Sequence, residues 1–284
     1  MLLKRTLTVF VFLALITAVL SLSHHRLGSL LFLAAANVLV TMALCEFHVL
    51  SGTKGRVTRS YGVFCGAAYC TLVFFTSSNP LYSLPESVSE IALPGACFAL
   101  LFFFFLWRVL KADYASALFD FAALAAGWVF VAWLFSFVIR INYFPPVGCQ
   151  GPWWVLTLVI IVAGADSFAF LFGKRFGRLK LSPRVSPNKT VEGFIGGTVG
   201  GVALGVMCKF LFELSINLGQ VVLMGTILSL IGHIGDLAES VLKRDAEVKD
   251  SGRLPGVGGL LDMMDGVLFA APLTYFLMRL WAVP

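Results

Sequence analysis

The hydrophobic positions of this chain fall in long runs that short polar segments separate. The runs lack the 3.6-residue stripes of soluble amphipathic helices, and they reach the roughly 17–25 residues that a helix needs to cross a bilayer. The pattern therefore predicts an all-α polytopic membrane protein with about nine transmembrane helices. We place them at 6–22, 27–50, 61–77, 90–107, 115–139, 153–173, 191–215, 219–235 and 260–281.

The composition agrees with this class, since 59% of the residues are hydrophobic and 13% are charged. The mean hydropathy is +0.91. No polar stretch is long enough to fold alone, so we expect one integral membrane domain. We interpret residues 1–150 as scaffold helices. Lipid access or dimer contacts are the further roles that we assign to them. Residues 151–284 hold most of the polar chemistry, in the loops 174–190 and 236–259.

The basic residues predict the orientation of the chain. With the N-terminus in the cytoplasm, cytoplasmic segments hold 17 Lys and Arg residues and the opposite side holds 3. This asymmetry follows the positive-inside rule. The net charge of +6 then faces anionic lipid headgroups rather than a nucleic acid, for which no soluble basic domain exists.

Nine of the chain's charged residues lie within the 24 residues from Lys243 to Gly266. Asp236, Ser240 and Lys243 share one face at the end of the eighth predicted helix, and Asp262 and Asp265 share one face at the start of the ninth. The predicted topology puts both helix ends at the same membrane surface. We therefore expect three carboxylates and one lysine to converge there.

Three crowded acids repel one another unless a cation neutralises them. Hard oxygen ligands beside substrate phosphates suit Mg²⁺, so Asp236, Asp262 and Asp265 are the candidate metal ligands, with room for a second cation. The alternative is that these acids are solvated at helix ends and pair with loop lysines. Ionisable groups at membrane depth are functional by default, which favours the metal site.

Basic residues and glycines beside these acids suit a polyanionic substrate. Lys and Arg supply countercharge, and glycines let backbone N–H groups approach phosphate oxygens. The loop fits neither a P-loop nor a Rossmann fingerprint. The candidate phosphate contacts are Lys189, Ser240, Lys243, Arg244, Lys249, Gly256, Gly258 and Gly259.

Other polar residues in the spans have structural interpretations. Asp166 is a candidate supporting residue, Thr190 a helix cap, and Glu192 a partner of that helix's dipole. Glu46 and Asp120 fall within early spans, where each is either a helix-packing residue or a distant contributor to a site, and we favour helix packing for both.

The seventh span carries glycine at every fourth position, at Gly193, Gly197, Gly201 and Gly205. Such a stripe predicts a close packing face within the subunit or in a homodimer. Lys209 and Glu213 continue the spacing, and we expect them to pair.

The residues from Ser240 to Gly252 and from Pro255 to Asp265 resemble the signature of phosphatidate cytidylyltransferases, also called CDP-diacylglycerol synthases. The segments 235–240 and 186–193 are similar to the same family's pattern, and they include Glu239 and Glu192. Within the signature, Asp250 is a supporting or solvated acid. The likeness is concentrated in residues 164–266.

The resemblance implies that CTP and phosphatidate give CDP-diacylglycerol and pyrophosphate in phospholipid biosynthesis. It implies a bacterial inner-membrane enzyme with its active site facing the cytoplasm. Two positions depart from the pattern, because Val257 stands where His is usual and Met263 where Arg is usual. The three acids, the Lys243-Arg244 pair and the glycines are kept, which favours an active enzyme.

Two other classes of function remain open at this point. One is a different enzyme, either a CTP-dependent lipid kinase or a cytidylyltransferase for another lipid phosphate. The other is a cation-coupled membrane transporter, which would predict similar polar sites in both halves of the chain. The polar sites are instead confined to the second half.

Overall fold

The computed structural model describes residues 16–53, 55–77, 85–111, 116–143, 150–248, 251–252 and 259–281. Residues 16–22 include a helical stretch. The helices that follow are α1 (Arg26–Leu50), α2 (Arg56–Thr76), α3 (Glu86–Lys111), α4 (Ala117–Gly127), a π-helical turn (Trp128–Trp133), α5 (Leu134–Asn142), α6 (Gly151–Phe176), α7 (Val191–Leu211), α8 (Leu218–Asp245) and α9 (Leu261–Trp281). The predicted all-α class is confirmed.

Seven helical segments of the described chain are long and apolar enough to cross a membrane. They are α1, residues 91–111 of α3, the continuous helix 117–142, and α6 to α9. Helix α2, which covers the third predicted span, has 21 residues but is not among the seven. Most of the first predicted span lies outside the described residues. The count of nine therefore stays a prediction.

One end of the bundle gathers the polar loops, and we call it the charged end. Helices α1, α3, α6 and α8 finish there, and α2, α4, α7 and α9 begin there. Contacts across this end include Glu46 with Leu260 and Lys243 with Asp262. At the opposite end, the hydroxyl of Tyr143 donates to the Ser23 carbonyl oxygen at 3.2 Å.

The glycine stripe of α7 packs inside the chain, between α6 and α8. A methyl group on Gly197 would lie 2.7 Å from both the Ala165 carbonyl oxygen and His233 Nε2. Such distances are too short for a side chain, so only glycine lets α6 and α8 approach α7 this closely. The predicted packing face within the subunit is confirmed, and a homodimer stays a prediction.

The expected pair of Lys209 and Glu213 is wrong. Helix α7 ends at Leu211, and Glu213 takes a left-handed backbone conformation with φ of 51°. Because the helix has ended, the four-residue spacing no longer holds the two side chains on one face. Lys209 Nζ instead donates to the Leu214 carbonyl oxygen at 3.4 Å.

A short β-hairpin interrupts the helices at the charged end. Strands β1 (Lys180–Ser182) and β2 (Ser186–Thr190) are antiparallel, with Lys180 opposite Thr190 and Ser182 opposite Ser186. The sequence does not predict this hairpin, because SPNKT contains proline, asparagine and lysine, which are poor strand formers. The hairpin places Lys189 against the end of α8.

Candidate active site

The end of α8 carries much of the polar chemistry beyond the apolar part of the helix. Helix α8 has 28 residues. At 1.5 Å per residue it is about 42 Å long, which exceeds a hydrocarbon core of roughly 30 Å. Its charged last turns can therefore lie at the membrane surface. Asp236 and Ser240 share a face there, and Ser240 Oγ donates to Asp236 Oδ1 at 3.5 Å.

Lys243 joins the end of α8 to the start of α9. Its Nζ lies 2.8 Å from Asp262 Oδ1 and 2.5 Å from Glu239 Oε2. Glu239 is fully buried, and its Oε1 has no hydrogen-bond partner among the described residues. The predicted convergence of the two helix ends is therefore present for Lys243 and Asp262. In this arrangement Lys243 contacts two carboxylates and can neutralise only one of them.

Asp262 also organises the ends of the glycine-rich loop. Its Oδ2 accepts hydrogen bonds from Gly259 N at 2.8 Å and Ser251 N at 3.2 Å. Both carboxylate oxygens of Asp262 therefore accept hydrogen bonds. The predicted site residues Lys249, Asp250, Gly256 and Gly258 lie outside the described residues, as does Val257.

Asp265 lies deeper, where α9 packs on α8. It is 5% exposed, and its Oδ1 accepts a hydrogen bond from Gly266 N at 2.6 Å. Gly235 allows the close approach, because a methyl group there would lie 2.8 Å from the Asp265 carbonyl oxygen. Asp236 follows Gly235 on α8, and Glu239 lies one turn further along the same helix. Negative charge is therefore concentrated at this depth.

A cavity of about 510 Å³ opens between α6, α7, the hairpin and α8, and its acids are Asp166 and Asp236. Glu239, Asp262 and Asp265 do not line it. On its inner side, His233 Nδ1 lies 3.1 Å from Asp166 Oδ1. Lys189 Nζ lies 2.6 Å from Asp236 Oδ2. Lys174 and Lys180 line the same cavity. The arrangement combines acids at depth with lysines nearer the surface.

Hydrogen bonds connect the hairpin to the helices that line this cavity. Thr190 caps α7 as predicted, since its side chain accepts a hydrogen bond from Gly193 N at 3.1 Å. Glu192 accepts from Leu179 N at 3.2 Å, which closes the base of the hairpin. Arg244 is exposed, and its Nε donates to the Val185 carbonyl oxygen at 3.1 Å. Arg244 therefore holds the hairpin turn as well as being a candidate phosphate contact.

The carboxylate oxygens at this site suit Mg²⁺, although protein groups alone would not complete the coordination shell of the ion. No three His, Cys, Asp or Glu side chains of the described residues are grouped to hold a metal by themselves. Carboxylate oxygens are nevertheless plentiful, and Glu239 Oε1 is buried without a hydrogen-bond donor. Mg²⁺ commonly uses one or two carboxylates and takes substrate phosphates and waters for the rest. The residues present suit that mode.

Sequence reasoning missed two residues that the fold brings to this site. His233 precedes Asp236 by three residues on the same helix, and that spacing could have indicated it. Glu46 gave no such signal, because its partners at 251, 260 and 261 lie more than 200 residues away. The interpretation of Glu46 as a helix-packing residue was therefore incomplete.

Comparison with known proteins shows which family this chain belongs to. The sequence model of the cytidylyltransferase family matches residues 3–281. This chain belongs to that family. The match covers the N-terminal helices as well as residues 164–266, where the resemblance was first apparent.

Curated relatives of the family carry a more specific name. A phosphatidate cytidylyltransferase of Staphylococcus aureus (strain COL) is 32% identical over 276 residues, which cover 96% of this chain and 98% of that protein. One of Bacillus subtilis (strain 168) is 34% identical over 202 residues, 71% of this chain and 73% of that protein. One of Chlamydia pneumoniae is 37% identical over 134 residues, 44% and 42% of the two chains.

Proposed function

We propose that this chain transfers the cytidylyl group of CTP to phosphatidate, giving CDP-diacylglycerol and pyrophosphate. The observation that carries the proposal is the cavity that Asp166, Asp236 and three lysines line in a member of the cytidylyltransferase family. The Lys243–Asp262 pair joins the ends of α8 and α9 at the same end of the bundle. The names of the relatives support phosphatidate as the acceptor.

The reaction depends on stabilisation of charge more than on acid–base catalysis. A phosphate oxygen of phosphatidate forms a bond to the α-phosphorus of CTP, and the bond from that phosphorus to the α,β-bridging oxygen breaks. The electron pair leaves with pyrophosphate. Because the attacking phosphate is already anionic, no strong general base is needed. Catalysis then consists of positioning two polyanions and stabilising the leaving group.

The lysines of the cavity suit the triphosphate. Lys174, Lys180 and Lys189 line one space of about 510 Å³, and fixed ammonium groups there offset the charge of two phosphorylated substrates. Lys189 Nζ pairs with Asp236 Oδ2 at 2.6 Å. We expect CTP phosphates to compete with Asp236 for this lysine.

We propose Asp236, Asp262 and Asp265 as the residues that would hold Mg²⁺, with Glu239 beside them. The ion would supply Lewis-acid stabilisation of the phosphates. For Asp262, metal binding requires it to exchange some of its present contacts with Lys243 and the loop amides. Room for a second cation is part of the same proposal.

We also propose that the charged end faces the cytoplasm of a bacterial cell, where CTP is found. The excess of basic residues in its loops supports this orientation. Single cysteines at Ser251 and at Arg26, in a background lacking the native cysteines, should label from opposite sides of intact inner-membrane vesicles. Labelling of both from one side would overturn the orientation.

The activity test uses purified protein in detergent with phosphatidate, Mg²⁺ and CTP labelled on the cytosine ring or on the γ-phosphate. The cytosine label should enter the lipid while the γ label appears in pyrophosphate. Transfer of the γ label to the lipid would make the protein a CTP-dependent lipid kinase. Absence of both labels from the lipid, with folded protein, would also contradict the proposal.

A further inference from the structure

A glutamate of the N-terminal half reaches the start of α9. Glu46 lies near the end of α1, and its Oε1 accepts a hydrogen bond from Leu260 N at 3.0 Å. Its Oε2 accepts from Leu261 N at 2.8 Å and from Ser251 Oγ at 3.1 Å. One carboxylate thus takes three donors from the segments on either side of residues 253–258.

These contacts satisfy groups that a helix cannot satisfy itself. The first N–H groups of a helix have no intrahelical partner, and a carboxylate beside them is also favoured by the helix dipole. Gly252 and Gly259 leave the room for it, because a methyl group on either would overlap the Glu46 carboxylate. The fit of Glu46 between these two glycines is therefore specific.

A second carboxylate holds the same two segments from within the site. Asp262 accepts hydrogen bonds from Ser251 N and Gly259 N, and it pairs with Lys243 of α8. Glu46 and Asp262 therefore both bind Ser251, one through its hydroxyl and the other through its amide. The position of Asp262 depends on where Glu46 holds this backbone.

We propose that Glu46 is a positioning residue for cytidylyl transfer. It fixes Ser251 and the first residues of α9 so that Asp262 and Asp265 keep their placement against α8. Glu46 touches neither substrate nor metal in this account, and its role rests on the proposed function. Misplacement of catalytic groups by about 1 Å can cost on the order of 10² in rate, so the expected effect is large for a residue outside the reaction.

The test compares Glu46→Gln with Asp120→Asn, which removes a carboxylate at the same end of the bundle without touching α9. Glu46→Gln keeps the size of the side chain but removes the negative charge and one acceptor. We expect its turnover per folded protein to fall about 10–100-fold. The KM for CTP should change less than threefold. Asp120→Asn should keep its turnover within about threefold of wild type.

Ser251→Ala provides a milder change of the same contact. We expect it to lower turnover by a few-fold, and the double variant with Glu46→Gln should be no slower than Glu46→Gln alone, because both changes remove one shared hydrogen bond. Losses that multiply would contradict the shared contact. Normal turnover of folded Glu46→Gln would overturn the positioning role.

Hydrogen exchange tests the geometry without requiring activity. The amides of Leu260 and Leu261 should exchange about tenfold faster in Glu46→Gln and at the wild-type rate in Lys111→Met, which changes an exposed residue at the end of α3. Unchanged exchange in Glu46→Gln would overturn the proposal. If wild-type protein makes no CDP-lipid while these amides respond as expected, the proposed function fails and the contact of Glu46 with α9 stands.

Discussion

The two halves of the bundle bury charge in different ways. In the N-terminal half, Arg108 of α3 pairs with Asp120 of α4, and their side chains are only 6% and 10% exposed. Ser116 Oγ also donates to Asp120 at 3.2 Å, and the guanidinium lies 5.2 Å from the Trp107 ring centroid. One cation and one anion balance each other there, and apolar rings surround them.

In the C-terminal half, acids exceed the cations that contact them. The ion pairs of the described cluster use Lys189 and Lys243, whereas five carboxylates gather around them. The acids are Asp166, Asp236, Glu239, Asp262 and Asp265. A balanced pair can hold helices together, whereas an excess of carboxylates favours the binding of a further cation or the uptake of protons. The difference supports the proposal that the C-terminal half binds the substrates and that the N-terminal half is structural.

The largest effect should follow from removing an acid of the C-terminal cluster. Asp265→Asn keeps the side-chain size but removes a charge that would hold Mg²⁺ and stabilise the transition state. We expect turnover to fall by on the order of 10² or more. Pyrophosphate release from purified, folded protein measures it. Near-normal turnover would end the assignment of Asp265 to the metal site, and Asp236→Asn and Asp262→Asn test the other two ligands in the same way.

Removing the acid of the N-terminal half should instead cost stability. Asp120→Asn leaves the Arg108 charge buried with its main partner lost, which typically destabilises a protein by about 3–5 kcal/mol. At roughly 2–4 °C per kcal/mol, the Tm in detergent should fall by on the order of 10 °C. Replacing both residues, as Arg108→Met with Asp120→Leu, should recover most of the loss. A greater fall in the double variant would contradict the structural role.

Replacing one glycine in each half by alanine tests the comparison between the halves further. Gly197→Ala would force α7 away from Ala165 and His233, and so disturb the Asp166–His233 contact beside the cavity. We expect turnover to fall about tenfold, or ~1.4 kcal/mol of barrier. Gly95 of α3 is the matched control, since nothing lies within 4 Å of an added methyl group. Equal turnover of Gly197→Ala and Gly95→Ala would contradict the account of the stripe.

The smallest effect should come from a lysine at the edge of the cavity. Lys189→Met retains most of the apolar stem but removes the ammonium group. We expect the KM for CTP to rise about fivefold, with a smaller change in turnover, because other lysines line the same space. Lys111→Met, at the end of α3, is the control and should change neither constant. An unchanged KM in Lys189→Met would remove this residue from the triphosphate site.

The sequence predicts most of the helices because hydrocarbon-length apolar runs have few alternative structures. The predicted eighth span ends at residue 235, ten residues before helix α8 ends at Asp245, since hydropathy marks the edge of the apolar core and not the end of the helix. The hairpin was missed because its residues have weak strand propensity. It is stabilised by contacts with helix ends, such as Glu192 with Leu179 N.

The candidate site was predictable where its residues are close in sequence. Asp236, Ser240 and Lys243 share a helix face by spacing alone, and the topology predicts that Asp262 lies beside them. Glu46 could not be found in this way, because its contacts join α1 to α9 and depend on how distant helices pack. The same limit applies to the Asp166–His233 contact, which requires the glycine stripe between α6 and α8.

The most direct test of the central claim is cation binding by the C-terminal cluster. Mn²⁺ can stand in for Mg²⁺, and its free concentration can be followed by electron paramagnetic resonance in the presence of CTP. We expect purified wild-type protein and Asp120→Asn to bind Mn²⁺ with the same affinity. Asp265→Asn should bind it at least tenfold more weakly, which is about 1.4 kcal/mol. Equal affinity of Asp265→Asn and wild type, with both proteins folded, would contradict a cation site built from these acids.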